Sequence, residues 1–241
     1  MKKAAVIIGS LVFVWIVLAA PGAQAATKCT FYIVHGIPGQ DIGKAADLPV
    51  DVSFNGAYLV KALKFGKVSA ALKLDAGSYG VKVYESGMGP AAAPTPLIQA
   101  TVVLADNEQA SIVLHLTKAA KATLAKFTND LSKIANANGR IVVHALIAGV
   151  DMGYMFTNNK YEHGHPMNTI DLLQNGNKCA MEVGTASGSA YTLEVIESKE
   201  NAPTLTRKAV SILPNKVQLI YVVGTANTTS IAVITKVIAV K

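Results

Sequence analysis

The sequence lacks the short motifs that mark the common enzyme classes. It has no Gly-x-Ser-x-Gly nucleophile elbow, no phosphate-binding loop, no dinucleotide fingerprint and no His-Glu-x-x-His helix. These absences disfavour serine hydrolases, nucleotide-dependent enzymes and zinc proteases. We therefore expect a protein that is not an enzyme, with no catalytic residues and no cofactor.

Aromatic residues are also scarce, at 6% of the 241 residues, and the only tryptophan is Trp15. The chain therefore lacks the tryptophan platforms that are common in sugar-binding sites. Apolar residues still make up 51% of the sequence, mostly as Val, Ala, Ile and Leu. Because β-branched aliphatic side chains pack well on pleated sheets, this composition favours a mainly β fold.

Only one apolar run is long, and it lies at the N terminus. A positively charged start precedes an apolar run over residues 4–20, a Pro-Gly pair and the triplet Ala23-Gln24-Ala25. This order is typical of a signal peptide over residues 1–25, cleaved between Ala25 and Ala26. An uncleaved membrane anchor is the alternative, since about 17 apolar residues is the lower limit for a span. We expect an exported mature chain without a membrane span, in the periplasm or at the cell surface.

Charge is unevenly distributed along the chain. The formal net charge is +7, and residues 118–140 contain five basic residues against one acidic residue. The flanking segments are close to balanced, whereas nucleic-acid-binding domains usually spread Lys and Arg over a whole face. Nucleic acid is therefore not an expected partner.

Two cysteines remain in the mature chain, Cys29 and Cys179. An even count in an oxidising compartment suggests a disulfide. Two buried free thiols, or pairing between two chains, are the other interpretations.

The chain contains two copies of one unit, about 100–110 residues apart. Four segments recur in the same order, and they are residues 32–36 with 141–145, 50–54 with 150–154, 77–83 with 188–195, and 102–107 with 210–215. Within each copy apolar and polar residues alternate, and turn residues such as Asn55-Gly56 separate the runs. These patterns predict two tandem antiparallel β-sandwich domains, over residues 26–117 and 140–241.

The segment between the copies, residues 118–139, has a different period. Leu124, Phe127, Leu131 and Ile134 share one stripe of a helix, which predicts an amphipathic α-helix joining the two domains. We expect the stripe to pack against the sandwiches. Contact of Lys118, Lys121, Lys126 and Lys133 with an anionic surface is the other interpretation.

The first copy resembles a known family, domain of unknown function 4397. The resemblance lies in residues 33–38, 50–56, 63–68 and 74–79, which are similar to the family's Val-Val-His-Ala-x-Pro opening, its Val-Asp-Val-Tyr-x-Asn-Gly strand and its Pro-Ala-Gly-x-Tyr turn. It covers Thr30 to Leu116 and extends weakly over Arg140 to Val223. It implies an immunoglobulin-like fold, export and tandem copies in surface proteins, and it supplies no catalytic residues.

Histidines provide the candidate metal ligands. His163 and His165 are separated by one residue and could bind one metal ion, with Glu162 assisting. An ordinary exposed loop would explain the same segment. His35 and His144 recur at matching positions, where we expect a structural hydrogen bond to an aspartate or to a loop carbonyl.

The C-terminal residues 230–241 are apolar and favour a strand. We expect this strand to close the sheet of its own domain, and donation to a neighbouring subunit is the alternative. The sequence as a whole predicts an exported structural or interaction module of the cell envelope. A periplasmic metal or small-ligand binding protein and a self-assembling surface fibre, a homo-oligomer, are the alternatives.

Overall fold

A computed structural model describes residues 28–88, 95–135, 137–159, 166–185, 190–199, 202–226 and 230–240. The strands of the first half, β1 to β8 in chain order, are Lys28–His35, Val50–Phe54, Ala57–Leu63, Leu72–Asp75, Gly77–Glu85, Ile98–Leu104, Gln109–Leu116 and Ala122–Thr128. The strands of the second half, β9 to β16, are Asn138–Ala148, Met152–Asn158, Pro166–Leu173, Asn177–Gly184, Ala190–Glu197, Thr204–Ser211, Lys216–Thr225 and Ala232–Ala239. A 3₁₀ turn at Gly39–Ile42 follows β1.

The strands form four sheets of four strands each, two in each half of the chain. The first half has the orders β4-β1-β7-β8 and β3-β2-β5-β6, and the second half has β12-β9-β15-β16 and β11-β10-β13-β14. The two halves therefore share one strand order, which confirms the duplicated unit. The predicted antiparallel pairing holds for the other described strand pairs, but β1 pairs with β7, and β9 with β15, in parallel.

Turn residues also match between the halves. Asn107, between β6 and β7, has φ +56°, and Asn215, between β14 and β15, has φ +54°. Asparagine tolerates this left-handed conformation better than most residues. The Asn55-Gly56 pair likewise has positive φ at both positions and joins β2 to β3, as a tight hairpin turn requires.

Three apolar clusters hold the sheets together in four layers. One cluster fills the space between the two sheets of the first half, around Phe31, Val52 and Ile112. A second cluster fills the second half, around Tyr154 and Tyr191. These clusters define two β-sandwiches. The predicted domain limits at residues 117 and 140 stay predictions.

The third cluster lies between the sandwiches. It combines residues of β1, β7 and β8 with residues of β9, β15 and β16, and its members include Val34, Val113, Phe127, Val142 and Tyr221. The sheet containing β1 therefore packs on both of its faces, and so does the sheet containing β9. The outer sheets, containing β2 and β10, each pack against one inner sheet.

The predicted linker helix is wrong. Residues 122–128 form strand β8, which pairs antiparallel with β7 from Ala110↔Thr128 to Leu116↔Ala122. Leu124 packs toward the first sandwich core, whereas Phe127 packs into the cluster between the sandwiches. A strand that is apolar on both faces loses its simple alternation, and here the remaining spacing imitated a helical stripe.

Polar side chains connect the two sandwiches inside this joint. The hydroxyl groups of Ser111 and Tyr221 are 2.6 Å apart, and Ser111 also donates to the Asn129 amide oxygen at 3.1 Å. Asn175 donates to the carbonyl oxygens of Leu116 and Ile147, one in each half of the chain. The joint therefore has directional contacts in addition to apolar packing.

The C-terminal strand β16 pairs with β15 over eight residue pairs, from Lys216↔Ala239 to Val223↔Ala232. This confirms the prediction that the tail closes the sheet of its own half. In the part of the chain that the structure describes, no helix has the length and apolar character needed to cross a membrane.

Candidate functional site

A depression of about 560 Å³ lies on the outer sheet of the first sandwich. Val52 and Val83 point into the core, so the neighbouring Ser53, Lys82 and Tyr84 point to the other face of the sheet. Because β2 lies between β3 and β5, it brings Tyr58 and Tyr84 together from distant parts of the sequence. We call this depression the tyrosine trough.

Two tyrosine rings form one side of the tyrosine trough. The ring centroids of Tyr58 and Tyr84 are 6.3 Å apart, with an angle of 53° between their planes. The Tyr58 hydroxyl group is buried and has no hydrogen-bond partner among the residues that the structure describes. Burial raises the pKa of Tyr58, and Tyr84 and Asp51 raise it further, so this hydroxyl stays protonated at neutral pH.

Polar side chains surround the rings. Asn55, Lys82, Gln99 and Thr101 all line the trough and are exposed. The Asn55 amide oxygen accepts the Gly80 backbone N–H at 2.7 Å, which fixes this amide beside the glycine. The trough therefore offers hydrogen-bond donors and acceptors around an aromatic surface.

The charge at the trough is positive. Lys82 forms no ion pair within the described residues, and the Lys61 ammonium group lies 5.9 Å from the Tyr58 ring centroid. The buried Asp51 carboxylate is engaged elsewhere, because it accepts the backbone N–H groups of Ala62 at 2.8 Å and Gly87 at 3.4 Å. This carboxylate supports the strand and turn beside the trough.

The outer sheet of the second sandwich has a smaller depression, of about 360 Å³. Lys199 forms an ion pair with Glu197 there, and Ser198 donates to the Asp171 carbonyl oxygen at 2.7 Å. Unlike the tyrosine trough, this depression is lined by two acidic residues, Asp171 and Glu197.

His35 and His144 do not lie at equivalent places. His35 faces the interior of the first sandwich, where its Nε2 donates to the Leu48 carbonyl oxygen at 2.7 Å and its Nδ1 accepts the Ile37 N–H at 3.3 Å. This confirms the expected bond to a loop carbonyl for His35. Burial lowers the pKa of His35 to about 4, although the bond to Leu48 opposes the shift.

His144 faces the joint between the sandwiches. Its ring stacks on Tyr221 and meets Phe127 edge-on, both at centroid distances of 4.6 Å. Its Nδ1 donates to the Ile220 carbonyl oxygen at 3.3 Å, and its Nε2 is buried without a partner. Burial lowers the pKa of His144 to about 3.

The predicted disulfide between Cys29 and Cys179 is wrong, because both residues are free thiols. Cys29 is in the core of the first sandwich and donates to the Ala105 carbonyl oxygen at 2.7 Å. Cys179 packs against the core of the second sandwich. Each thiol therefore belongs to a different core, so the two cannot meet.

The four lysines of segment 118–139 do not share a helical face. Lys126 pairs with the buried Glu108 at 2.7 Å, and Lys118 pairs with Asp151 at 3.3 Å. Lys121 and Lys133 are exposed. The helix on which an anionic-surface contact depended is therefore missing, and the contact itself stays a prediction.

Several predicted residues lie outside the described residues. They are Ala25 and Ala26 of the cleavage site and Glu162, His163 and His165 of the candidate metal site. Within the described ranges, no three His, Cys, Asp or Glu side chains come together as metal ligands. The His163–His165 site stays a prediction.

Sequence reasoning missed the tyrosine trough as a site. The alternation of Val81, Lys82 and Val83 did show that Lys82 would face away from the core. The approach of Tyr58 to Tyr84 depends on the strand order, which alternation does not reveal.

Comparison with solved structures gives matches of low similarity. A crystal structure from Bacteroides uniformis ATCC 8492 is 11% identical over 90% of this chain and 98% of its own, with a TM-score of 0.30. Structures from Bacteroides ovatus ATCC 8483 and Parabacteroides distasonis ATCC 8503 are 9% and 8% identical over 89% of this chain and 98% and 99% of their own, with TM-scores of 0.22 and 0.24. All three proteins are described as putative cell adhesion proteins. TM-scores of this size support no inference about this chain.

No curated protein matches the sequence. A family match covers residues 30–150, half of the chain, under the description "Domain of unknown function (DUF4397)". The matched region spans β1 to β8 of the first sandwich and β9 of the second. It includes the tyrosine trough and the parallel pairing of β1 with β7. The chain therefore belongs to the family of domain of unknown function 4397.

Proposed function

We propose that this protein is an exported, non-enzymatic interaction module of the cell envelope that binds its partner through the tyrosine trough. The observation that carries the proposal is the trough itself, which combines an open volume of about 560 Å³ with two tyrosine rings and exposed polar side chains. Its volume falls within the range of about 300–1,000 Å³ that is usual for ligand sites. The signal-peptide pattern of residues 1–25 supports export.

Rigid strands hold the binding groups in place. Ser53 and Tyr84 lie on strands that are paired on both sides, because β2 bonds to β3 and β5, and β5 bonds to β2 and β6. Tyrosine provides a large contact area with few rotatable bonds, so little conformational entropy is lost when a ligand binds. The mechanism we propose is surface complementarity on a preformed face, without a chemical step.

We further propose that each sandwich is an immunoglobulin-like domain. The two-layer packing of four-stranded sheets in each half supports this assignment, as does the resemblance to the family. In this arrangement the second sandwich packs against the inner sheet of the first, because the third apolar cluster joins the two inner sheets. The trough then faces away from the joint.

Fractionation of the native host tests this proposal. We expect the chain in the envelope or extracellular fraction, with a mature N terminus at Ala26 in mass spectrometry. A cytoplasmic chain that retains residues 1–25 would contradict export. The same sample should contain peptides of Cys29 and Cys179 that alkylate as free thiols without prior reduction.

A further inference from the structure

We propose that the ligand of the tyrosine trough is an acidic oligosaccharide, whose carboxylate binds Lys82 and whose sugar ring packs on the tyrosines. This inference rests on the proposed function and adds the chemical class of the ligand. Two observations carry it: the positive charge of Lys82, which has no ion pair among the described residues, and the tyrosine and amide side chains beside it.

The charge favours an anion. Lys82 and Lys61 have no acidic ion-pair partner among the described residues, whereas nearby Glu85 is already paired with Lys44 at 3.0 Å. Both oxygens of Asp51 accept backbone N–H groups. A ligand carboxylate in the trough would therefore meet Lys82, and a charge-assisted hydrogen bond to Lys82 is the strongest single contact available.

The aromatic surface favours a sugar ring over a simple carboxylic acid. A pyranose ring has an apolar C–H face and a periphery of hydroxyl groups, and tyrosine likewise combines an apolar body with a polar tip. The half-buried ring of Tyr58 supplies the apolar surface, and the buried ring of Tyr84 lies beside it. The exposed amides of Asn55 and Gln99 line the same depression and can bond to the hydroxyl groups of a sugar ring.

Other anionic partners fit the trough less well. A nucleic-acid strand requires a positive groove that follows successive phosphates, and Lys82 is the only basic residue among the described residues that line the trough. An anionic membrane surface is bound by clusters of four to eight basic residues. Both remain outcomes of the test.

Calorimetric titration of the purified chain with a trimer of galacturonic acid tests the inference, with the matching galactose trimer as neutral control. We expect the acidic trimer to bind and the neutral trimer to bind at least tenfold more weakly. Lys82→Ala should weaken binding of the acidic trimer about tenfold or more. The matched control is Lys73→Ala, which changes an exposed lysine on β4 in the other sheet of the same sandwich.

Each outcome has a defined meaning. Equal binding of the two trimers, or equal losses in Lys82→Ala and Lys73→Ala, would overturn the inference. Binding of phosphatidylglycerol vesicles or of oligo-dT that depends on Lys82, without binding of the acidic trimer, would overturn it in favour of a membrane or a nucleic acid. If neither trimer binds while the host envelope still binds through the trough, the inference fails and the proposed function stands.

Discussion

The first sandwich buries its histidine inside its own core, whereas the second places its histidine on the opposite face of the equivalent strand. His35 contacts the Leu48 carbonyl group, and His144 stacks on Tyr221 at the joint. The outer sheets differ as well, since Lys82 at the trough has no ion pair among the described residues, whereas Lys199 in the second pairs with Glu197. Duplication thus preserved the strand order, while the faces of the strands acquired different roles.

The two sandwiches therefore differ in where their polar contacts lie. In the second sandwich, His144 and Tyr221 make such contacts at the joint with the first. The first sandwich directs its available polar groups outward, to the tyrosine trough. Four predictions test this difference between the sandwiches, from the largest expected effect on stability to the smallest.

Tyr221→Ala should have the largest effect on stability. Tyr221 is fully buried, stacks on His144 and bonds to Ser111 across the joint. Removal of a buried aromatic ring typically lowers the free energy of unfolding by about 3–5 kcal/mol. Urea denaturation measures the change, and Tyr221→Phe, which keeps the ring, should lose only about 1 kcal/mol. A loss below about 1 kcal/mol in Tyr221→Ala would mean that the joint contributes little.

Acidification should destabilise both sandwiches through the buried histidines. The pKa values of His35 and His144 are lowered to about 4 and about 3, so below pH 6.5 the unfolded chain takes up protons that the folded chain does not. Each histidine then lowers the free energy of unfolding by about 1.4 kcal/mol per pH unit. For His35 the effect ends near pH 4, and for His144 near pH 3.

The midpoints of urea denaturation between pH 7 and pH 5 measure this effect. This pH range is chosen because most carboxylates titrate below it. His144→Leu and His35→Leu should each reduce the slope of the free energy of unfolding against pH by the contribution of one histidine. An unchanged slope in His144→Leu would show that this imidazole is not buried in its neutral form.

Lys126→Ala should lower the free energy of unfolding more than Lys118→Ala does, although both lysines form ion pairs. Lys126 binds Glu108, whose side chain is only 4% exposed, whereas Lys118 and Asp151 are 63% and 26% exposed. The loss of Lys126 leaves a buried carboxylate without its cation, which we estimate at about 1–2 kcal/mol. Lys118→Ala should stay within about 0.5 kcal/mol. Equal losses in thermal denaturation would contradict the buried position of Glu108.

Tyr58→Phe should have the smallest effect on stability, of about 0–1 kcal/mol and in the stabilising direction. The Tyr58 hydroxyl group is buried without a partner, so its removal takes away an unsatisfied polar group and no contact. Tyr221→Phe is the matched comparison, because its hydroxyl group does have a partner, Ser111. If both changes destabilise equally, Tyr58 has a partner in the folded chain.

Sequence patterns predicted the strands best where only one face of the strand is buried. Val81, Lys82 and Val83 alternate as expected because β5 lies in an outer sheet. The prediction failed at β8, where the half-buried Leu124 and the buried Phe127 pack on opposite faces. A joint that covers the second face of a sheet removes the polar half of the pattern, and a single sequence does not reveal such a joint.

The disulfide prediction failed, and the trough was not predicted, for a related reason. An even cysteine count says nothing about which core each thiol enters, and Cys29 and Cys179 enter different cores. The trough required β2 to lie between β3 and β5, which places Tyr58 next to Tyr84. Both features depend on the arrangement of strands in three dimensions rather than on local periodicity.

Binding of the purified chain to the isolated envelope of its native host tests the central claim most directly, with Gly80→Val as the trough-filling variant. A Cβ atom at Gly80 would meet only the Asn55 amide oxygen, at 3.5 Å, so the strand tolerates the change. Gly184→Val is the matched control on the second sandwich, where the nearest atom is the Asn138 amide oxygen at 3.7 Å. We predict that Gly80→Val abolishes envelope binding and that Gly184→Val binds like the unchanged protein. Full binding by a folded Gly80→Val variant would contradict the tyrosine trough as the interaction site.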